Sequence, residues 1–300
     1  MISNFNSTRC ALIALLLLFV GCRNQNSGII AEGAEINLVA DGYTFTEGPA
    51  ADADGNVFFT DQANNQILKW SFNDGVSEYM KPSGRANGLY FDNDGNLLAC
   101  ADEKFQIWRI DPEKNVTVVW EGFEGLDLNG PNDLWVAPNG GIYFTDPYFQ
   151  RPYWERTQKE MEQEGVYYIS PDGKNIKSVA DDLVRPNGII GSADGKTLYV
   201  ADGGDSKTYA YSLAGDGTVS DRKLFCELGS DGMTIDNQGN VYLTGDGVTV
   251  FDSTGKQIDY IENGKDWTGN VTFGGPNRDI LFMTASDAVF TLQMTVKGVR

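Results

Sequence analysis

The feature that most constrains the fold of this chain is a segment that recurs six times. Each copy contains an apolar run, a turn rich in Asp, Asn and Gly, and a second apolar or aromatic run that often ends in Asp. The pattern predicts a β-hairpin, because Gly and Asn reach the positive φ of tight turns and the flanking runs are apolar enough to be buried. The copies read AADADGNVFFTD (50–61), YFDNDGNLLACAD (90–102), WVAPNGGIYFTD (135–146), IGSADGKTLYVAD (190–202), TIDNQGNVYLTG (234–245) and TFGGPNRDILFMTA (272–285).

The turn glycines lie 40 to 55 residues apart, which is the period of a four-stranded propeller blade. The two inner strands of each hairpin leave room for two outer strands before the next copy begins. The sequence therefore predicts an all-β fold, a six-bladed β-propeller with four-stranded blades over residues 35–296. A strand from Glu35 to Ala40 would complete the last blade and close the ring. Tandem hairpins in a β-sandwich or in two barrels are the alternative.

The amino terminus has the pattern of an export signal. Arg9 precedes the apolar run ALIALLLLFV (11–20), which is too short for a convincing membrane-spanning helix. A small residue before Cys22 resembles the bacterial lipobox, so we predict a signal peptide over 1–21 and a lipidated Cys22 as the first mature residue. Residues 22–34 would form a tether, and the protein would be exported to the cell envelope, in the periplasm or at the outer membrane. An ordinary secretory signal cleaved nearby is the alternative.

The composition excludes several classes of protein. The chain has 23 basic and 42 acidic side chains and a net charge of −19, so we expect no nucleic acid partner, and membrane contact only through the lipid anchor. The sequence contains no histidine, which excludes Ser-His-Asp and Cys-His triads and imidazole-ligated metals. Cys100 and Cys226 lie in separate apolar runs and are interpreted as buried free thiols. The sequence does not define an oligomeric state.

A polar residue precedes five of the turns at a constant distance of eight positions. Since these residues are in phase with the repeat, they would each open the first strand of a blade and meet at one end of the central channel. Carboxylate and amide oxygens without sulfur or imidazole suit a hard cation, Ca²⁺ before Mg²⁺ or another divalent cation. The alternative is that they are turn residues only. They are Glu47, Asn87, Asn132, Asn187 and Asp231, and the sixth copy offers Gly269 and Asn270.

Several longer segments carry a resemblance to a known family. They are TEGPA (46–50), GPNDLWVAPNGGIYFTDPYF (130–149), DDLVRPNGIIGSADGKTLYVAD (181–202) and SDGMTIDNQGNVYL (230–243). In this order they resemble the gluconolactonase, senescence-marker-protein and regucalcin superfamily of calcium-dependent six-bladed propellers, and its bacterial gluconolactonase branch in particular. The resemblance implies a Ca²⁺-dependent hydrolase that opens a sugar lactone such as gluconolactone. The metal ligands that it implies are Glu47, Asn132, Asn187 and Asp231.

Asp231 is the candidate catalytic residue. Because the chain lacks histidine, the resemblance and the position in the ring both favour Asp231 as general base as well as ligand. Alternatively, Asp231 is a structural ligand only, and water activated by the metal attacks the lactone. Asn87 and Asn132 are further candidates for substrate binding. The animal members of the family have a substrate-contacting arginine two residues before the Asn that matches Asn132, and this chain has Gly130 there.

The longest interval between turns adds a second candidate region. Residues 147–164 follow the third copy and leave from the face that carries the ring, so we predict that they cover the channel mouth. Tyr148 and Arg151 in this insertion are candidates for substrate contact, and a solvated loop is the alternative. The aspartates that close the second strands of their hairpins would either support the ring residues through hydrogen bonds or cap strand ends. They are Asp61, Asp146 and Asp202.

Three functions stay open at this point. The first is hydrolysis of a sugar lactone, with a small-molecule lactone as the partner. The second is hydrolysis of organophosphates or aryl esters by a calcium propeller, and the third is sugar binding by a non-catalytic envelope propeller. The carboxylate of Asp231, in phase with that of Glu47, favours an enzyme, since a binding ring would not need it.

Overall fold

The regular secondary structure within residues 27–299 is almost entirely β-strand. The structure is a computed structural model that describes residues 27–299, and in this range it contains six four-stranded antiparallel sheets. The innermost strands of neighbouring sheets pack against one another in chain order, and the innermost strand of the last sheet packs against that of the first. The sheets therefore form a closed ring, which confirms the prediction of an all-β, six-bladed propeller. Within residues 27–299, no helix is long and apolar enough to cross a membrane.

The strands follow the chain from the innermost to the outermost position of each blade. The first strand of the chain is β1 (Asn37–Asp41). The first blade contains β2 (Thr46–Ala51), β3 (Val57–Asp61), β4 (Gln66–Ser71) and β5 (Gly75–Met80), and the second contains β6 (Ala86–Phe91), β7 (Leu97–Ala101), β8 (Gln106–Ile110) and β9 (Val116–Glu121). The third contains β10 (Leu134–Val136), β11 (Ile142–Asp146), β12 (Gly165–Ile169) and β13 (Ile176–Ala180).

The remaining blades are built in the same way. The fourth contains β14 (Pro186–Gly191), β15 (Thr197–Asp202), β16 (Lys207–Leu213) and β17 (Val219–Cys226), and the fifth contains β18 (Met233–Ile235), β19 (Val241–Gly245), β20 (Gly247–Phe251) and β21 (Gln257–Ile261). The last contains β22 (Thr268–Gly274), β23 (Ile280–Ala285) and β24 (Ala288–Gln293). Two short 3₁₀ helices, Gln62–Asn64 and Asp102–Lys104, follow β3 and β7.

The ring is closed by the two ends of the propeller sequence. β1 pairs with β24 in antiparallel register, with Asn37 opposite Thr291 and Asp41 opposite Ala288. The first strand of the chain is therefore the outermost strand of the last blade, as predicted, although it begins two residues later than the segment from Glu35 suggests. Backbone hydrogen bonds between β1 and β24 therefore close the ring. The closure does not depend on side-chain contacts alone.

The residues before β1 pack onto the last blade. Ile29 is only 2% exposed, and its carbonyl accepts a hydrogen bond of 2.8 Å from the backbone N–H of Thr295. Residues 27–34, assigned from the sequence to the tether, thus lie against the propeller in this structure. The predicted signal peptide, the lipidated Cys22 and the remainder of the tether lie outside the described residues.

The hairpin turns have the geometry that the repeat predicts. The turn glycines of the first five copies have positive φ, from 66° at Gly195 to 89° at Gly140. In the sixth copy the residue at the same turn position is Arg278, with φ of 56°, and its N–H bonds the carbonyl of Gly275. The repeat pattern predicts Asn277 at this turn position, and the structure places Arg278 there instead. Counting back eight residues from Arg278 selects Asn270 rather than Gly269 as the sixth ring residue.

The apolar runs fill the spaces between neighbouring blades. Every residue of β3 and of β7 is buried, and the rings of Tyr242 and Phe273 meet edge to face between the fifth and sixth blades, with centroids 5.3 Å apart. Cys100 and Cys226 are both buried free thiols, as predicted. Burial of such inner strands makes the propeller a rigid frame for the residues at its channel mouth.

Candidate metal and substrate site

One end of the central channel opens into a cavity of about 680 Å³. The blades bring the predicted ring residues to its wall because each residue lies at or just before the start of an innermost strand. The candidate Arg151 of the insertion lines the same cavity. The ring residues on the wall are Glu47, Asn87, Asn132, Asn187 and Asp231.

Two amides of the ring have oxygens without a partner. The buried Oδ1 atoms of Asn87 and Asn187 have no hydrogen-bond partner among residues 27–299. The Asn187 side chain donates through Nδ2 to Oδ1 of Asp231 at 2.7 Å, which leaves its oxygen free. A buried amide oxygen without a donor is costly, and a cation would satisfy such an oxygen.

The two carboxylates of the ring, buried Glu47 and half-buried Asp231, are close enough to interact. Glu47 is 3% exposed, and its Oε2 accepts a 2.8 Å hydrogen bond from the N–H of Gly48. Burial and the negative charge of Asp231 raise the pKa of Glu47 well above its usual range. Burial also raises the pKa of Asp231, opposed by hydrogen bonds from Trp267 and Asn187. A bound cation would favour the ionised form of both groups.

Asn270, the sixth ring residue, lies below the cavity wall and has a different role. Its Oδ1 accepts a 2.8 Å hydrogen bond from the N–H of Val271, and its Nδ2 approaches Oδ2 of Asp133 at 3.4 Å. Its side chain also donates to Glu47. Asn270 therefore orients two carboxylates with its amide nitrogen, and its oxygen is already engaged.

Asp133 is a buried residue of this region that the sequence analysis missed. Its Oδ1 accepts a 2.9 Å hydrogen bond from the N–H of Leu134, and burial raises its pKa to about 7. The negative charge of Asp133 acts on Glu47, so a third carboxyl group lies beneath the two of the ring. The sequence signal that could have indicated Asp133 is its position directly after the ring residue Asn132.

The aspartates that end the second strands hold the segments that lead into the ring. Asp146 accepts hydrogen bonds of 2.8 Å from the N–H groups of Asn129 and Gly130. Asp61 does the same for Thr44 and Phe45, and Asp202 for Val184 and Arg185. Their partners are backbone groups two or three residues before Glu47, Asn132 and Asn187. These carboxylates thus support the ring by fixing its backbone, not by bonding its side chains.

The insertion over residues 147–164 lies on the face that carries the ring. Phe149 and Arg151 line the cavity. Tyr148, the other sequence candidate, is absent from the lining, and its hydroxyl donates to the side chain of Gln150. The structure therefore brings Arg151 to the ring but turns Tyr148 away from it.

Asp102 fixes the position of Arg151. The Asp102 side chain is 2% exposed, and its Oδ2 lies 3.4 Å from Nε of Arg151. The hydroxyl of Tyr153 donates to the same carboxylate, and Nε1 of Trp154 donates to the Asp102 carbonyl at 3.0 Å. Burial raises the pKa of Asp102 to about 6, against the lowering effect of Arg151 and Tyr153. Asp102 thus ties the insertion to the second blade.

Arg156 provides a second anchor for the insertion. Its guanidinium donates to the carbonyl of Leu128 at 2.8 Å and to that of Asn129, and its Cζ lies 3.4 Å from the ring centroid of Phe105. These contacts join the insertion to the segment that precedes Asn132. The insertion is therefore a fixed wall of the cavity.

Trp267 and Arg185 line the cavity and were also missed by the sequence analysis. Nε1 of Trp267 donates to Oδ2 of Asp231 at 2.6 Å, and Nε of Arg185 lies 3.9 Å from Oε2 of Glu164. Arg185 could have been noticed, because it stands two residues before Asn187 in the motif RPN. Trp267 lies just before β22 and belongs to no repeated pattern.

Comparison with known protein families shows which family has this fold and site. The family described as SMP-30/Gluconolactonase/LRE-like region matches residues 45–287 of the chain, a range that includes every ring residue and the whole insertion. The chain belongs to this family. The resemblance seen in the sequence motifs is thereby confirmed.

Relatives within the SMP-30/gluconolactonase family are similar over most of their length. The gluconolactonase of Zymomonas mobilis subsp. mobilis is 30% identical over 301 residues, covering 90% of this chain and 84% of the relative. A gluconolactonase of Xanthomonas campestris with a solved structure is 29% identical, with a TM-score of 0.83 and coverage of 89% and 91%. Regucalcin from Agrobacterium tumefaciens, 20% identical with a TM-score of 0.76 and coverage of 88% and 95%, shares the fold.

Proposed function

We propose that this chain is a lactone hydrolase that uses a divalent cation, with Ca²⁺ favoured, and that its substrates are sugar lactones. The observation that carries the proposal is the meeting of the buried carboxylate of Glu47 and the half-buried carboxylate of Asp231 with unpartnered buried amide oxygens at the wall of one cavity. The names of the two gluconolactonases, similar over most of both chains, support the lactone as substrate.

The ring residues fit a hard cation. Glu47, Asn132, Asn187 and Asp231 would hold it with carboxylate and amide oxygens, the donors that Ca²⁺ prefers. Asn187 suits this role because its nitrogen is bonded to Asp231 while its oxygen has no partner among residues 27–299. The two carboxylates would balance the charge of a divalent ion. When bound, such an ion supplies Lewis acidity that polarises the lactone carbonyl.

The chain's own residues supply the proton transfers. We assign Asp231 as the base that takes a proton from the water adding to the carbonyl carbon. The bond between that carbon and the ring oxygen then breaks, and the proton passes from Asp231 to the ring oxygen as the open hydroxy acid forms. Asn87 and Asn132 present amides to the cavity, where they would bind hydroxyl groups of the sugar. Arg151 is a further substrate contact.

We further propose that the protein is exported and anchored by lipid at Cys22. The apolar run that ends just before Cys22 supports this location. The ring would then act on small molecules that enter the cell envelope.

A lactone panel tests the proposed activity. Purified protein lacking residues 1–21 would be assayed with and without Ca²⁺ against δ-gluconolactone, other sugar lactones, an aryl ester and a phosphotriester, with acid release followed in a pH-stat. We expect lactone hydrolysis that is lost on chelation and restored by Ca²⁺. Turnover confined to the aryl ester or phosphotriester would overturn the lactone assignment, and activity that survives thorough chelation would overturn the metal.

A further inference from the structure

Two arginines meet on one part of the cavity wall. Arg151 of the insertion and Arg185 of the segment before β14 both line the cavity. Phe149 lies between them in contact with both, since the guanidinium carbons are 5.7 Å and 5.2 Å from its ring centroid. Two residues from different blades thus direct positive charge into the same part of the site.

Both guanidinium groups are held in place by shielded carboxylates. Nε of Arg151 lies 3.4 Å from Asp102, whose side chain is 2% exposed, and Nε of Arg185 lies 3.9 Å from Glu164, whose side chain is 10% exposed. Each of these ion pairs engages Nε, and a guanidinium carries four further N–H donors on its terminal nitrogens. Both side chains line the cavity, so these terminal donors are the groups that could bond a ligand there.

The carboxylates that pair with the arginines, Asp102 and Glu164, lie outside the cavity lining, which has acidic groups of its own. Three carboxylates line the cavity, those of Glu47, Asp231 and Asp246. A divalent cation in the ring would engage Glu47 and Asp231, so the arginines would then outnumber the remaining lining carboxylate. In a chain with a net charge of −19, a cavity wall with two arginines is a local exception.

We propose that the site takes lactones that carry an anionic group, a carboxylate or a phosphate, and that Arg151 and Arg185 bind this group. The inference rests on the proposed lactone hydrolysis and adds its substrate class. The charge of Arg151 acts on Asp231, so this arginine lies within reach of a lactone whose carbonyl is at Asp231, and Arg185 lines the same cavity. A cavity of about 680 Å³ lies within the size range of small-molecule sites.

Substrates that differ in one group test the proposal. Neutral δ-gluconolactone, 6-phosphogluconolactone and a glucaric acid monolactone would be compared by kcat/KM at low and high salt. We expect one of the anionic lactones to be preferred at least tenfold over the neutral one, and the preference to shrink as salt rises. The two anionic lactones distinguish a phosphate from a carboxylate.

Variants then locate the preference on the two arginines. In Arg185→Gln and Arg151→Gln, the ratio of kcat/KM for the anionic to the neutral lactone should fall by about ten- to a hundredfold, the usual worth of a charged hydrogen bond. Arg185→Lys should restore part of it, because charge returns without the paired donors. Arg109→Gln is the control and should leave the ratio unchanged, because Arg109 pairs with Asp92, which follows the end of β6 opposite to Asn87.

Binding provides a readout that is independent of turnover. Calorimetry would compare gluconate with 6-phosphogluconate and glucarate, and circular dichroism would show that each variant is folded. A wild-type protein that prefers the neutral lactone, or a ratio that stays the same in both Gln variants, would overturn the inference while leaving the hydrolase intact. Absence of hydrolysis for every lactone would instead count against the proposed function.

Discussion

The indole Nε1 of Trp267 donates a 2.6 Å hydrogen bond to Oδ2 of Asp231, across the gap between two blades. On the other side, Nδ2 of Asn187 donates to Oδ1 of the same carboxylate at 2.7 Å. Both oxygens of Asp231 are therefore held by neighbours from the sixth and the fourth blade. A carboxylate fixed from both sides presents one orientation to water in the cavity, which is what a positioned general base requires.

Replacement of Trp267 by Phe removes the indole N–H donor but keeps an aromatic ring in the site, and it should lower turnover. We expect Trp267→Phe to reduce kcat by about tenfold or somewhat more, since a hydrogen bond to a charged group is lost. Steady-state kinetics at saturating Ca²⁺ would measure the change. Trp120→Phe is the matched control, because the Trp120 indole donates to the carbonyl of Gly122 outside the cavity. Wild-type kcat in Trp267→Phe would contradict the positioning role.

The two roles assigned to Asp231 can be separated. Asp231→Asn keeps a ligating oxygen but removes basicity, whereas Asp231→Ala removes both. We expect the Asn variant to retain metal by calorimetry and to lose about two to four orders of magnitude in turnover, the usual worth of a general base. The Ala variant should also bind metal more weakly. Near-normal turnover with metal retained would mean that Asp231 acts only as a ligand.

The architecture and most of the ring could be predicted because both follow from the repeat. A turn glycine at positive φ fixes where each hairpin reverses, and the residue eight positions earlier must then open an inner strand. The same rule was ambiguous only in the sixth copy, where Arg278 takes the position that Gly occupies elsewhere. The left-handed conformation of an arginine cannot be read from its identity, so the choice between Gly269 and Asn270 needed the structure.

The residues that the sequence did not reveal act through contacts between blades. Trp267 contacts Asp231 and Asp102 contacts Arg151, although their positions in the sequence differ by 36 and 49. No periodicity encodes such pairs. Residues 147–164 contain no strand, so the alternation of inward and outward side chains along a strand cannot indicate which of them face the cavity. Phe149 lines the cavity, and Tyr148 does not.

The anchoring of the insertion can be tested at Arg156. In Arg156→Met the side chain keeps an apolar stem over Phe105 but loses the donors to Leu128 and Asn129. We expect the insertion to loosen, with faster proteolysis within residues 147–164 and a KM for lactone about tenfold higher. Limited digestion followed by mass spectrometry would locate the cuts.

A control for this variant is Arg222→Met, because Arg222 pairs with Asp182 away from the cavity. It should leave both the cleavage pattern within the insertion and KM unchanged. If Arg156→Met digests like the wild-type protein and keeps its KM, the insertion does not depend on this anchor.

The proposed lipid anchor can be tested by replacing the sulfur of Cys22 with oxygen, which should change where the protein is found in the cell. Cys22→Ser removes the thiol that would carry lipid, so the full-length protein should move from the membrane fraction to the soluble fraction. Fractionation with immunodetection would measure this, and Cys226→Ser, at a buried thiol within the propeller, serves as control. Membrane association that persists in Cys22→Ser would exclude the anchor.

The pH dependence of stability should reveal the buried carboxyl group of Asp146. Burial raises its pKa from 3.8 to about 7, so between these values the folded protein retains a proton that the unfolded chain releases. The group's contribution to stability is fully present below about pH 4 and is lost as the pH rises through 7. In this window the free energy of unfolding should fall by roughly 1 kcal/mol per pH unit from this group.

Urea unfolding of the wild type and of Asp146→Asn from pH 4 to pH 8 would isolate the contribution of the Asp146 carboxyl group to the free energy of unfolding, because the amide does not titrate. We expect the stability difference between wild type and variant to favour the wild type most at the acidic end of the range and to shrink toward pH 7. Asp221→Asn removes the same charge from an exposed position and should run parallel to the wild type. If the curve of Asp146→Asn also runs parallel to the wild type, the Asp146 carboxyl group is ionised throughout, and its two backbone hydrogen bonds outweigh its burial.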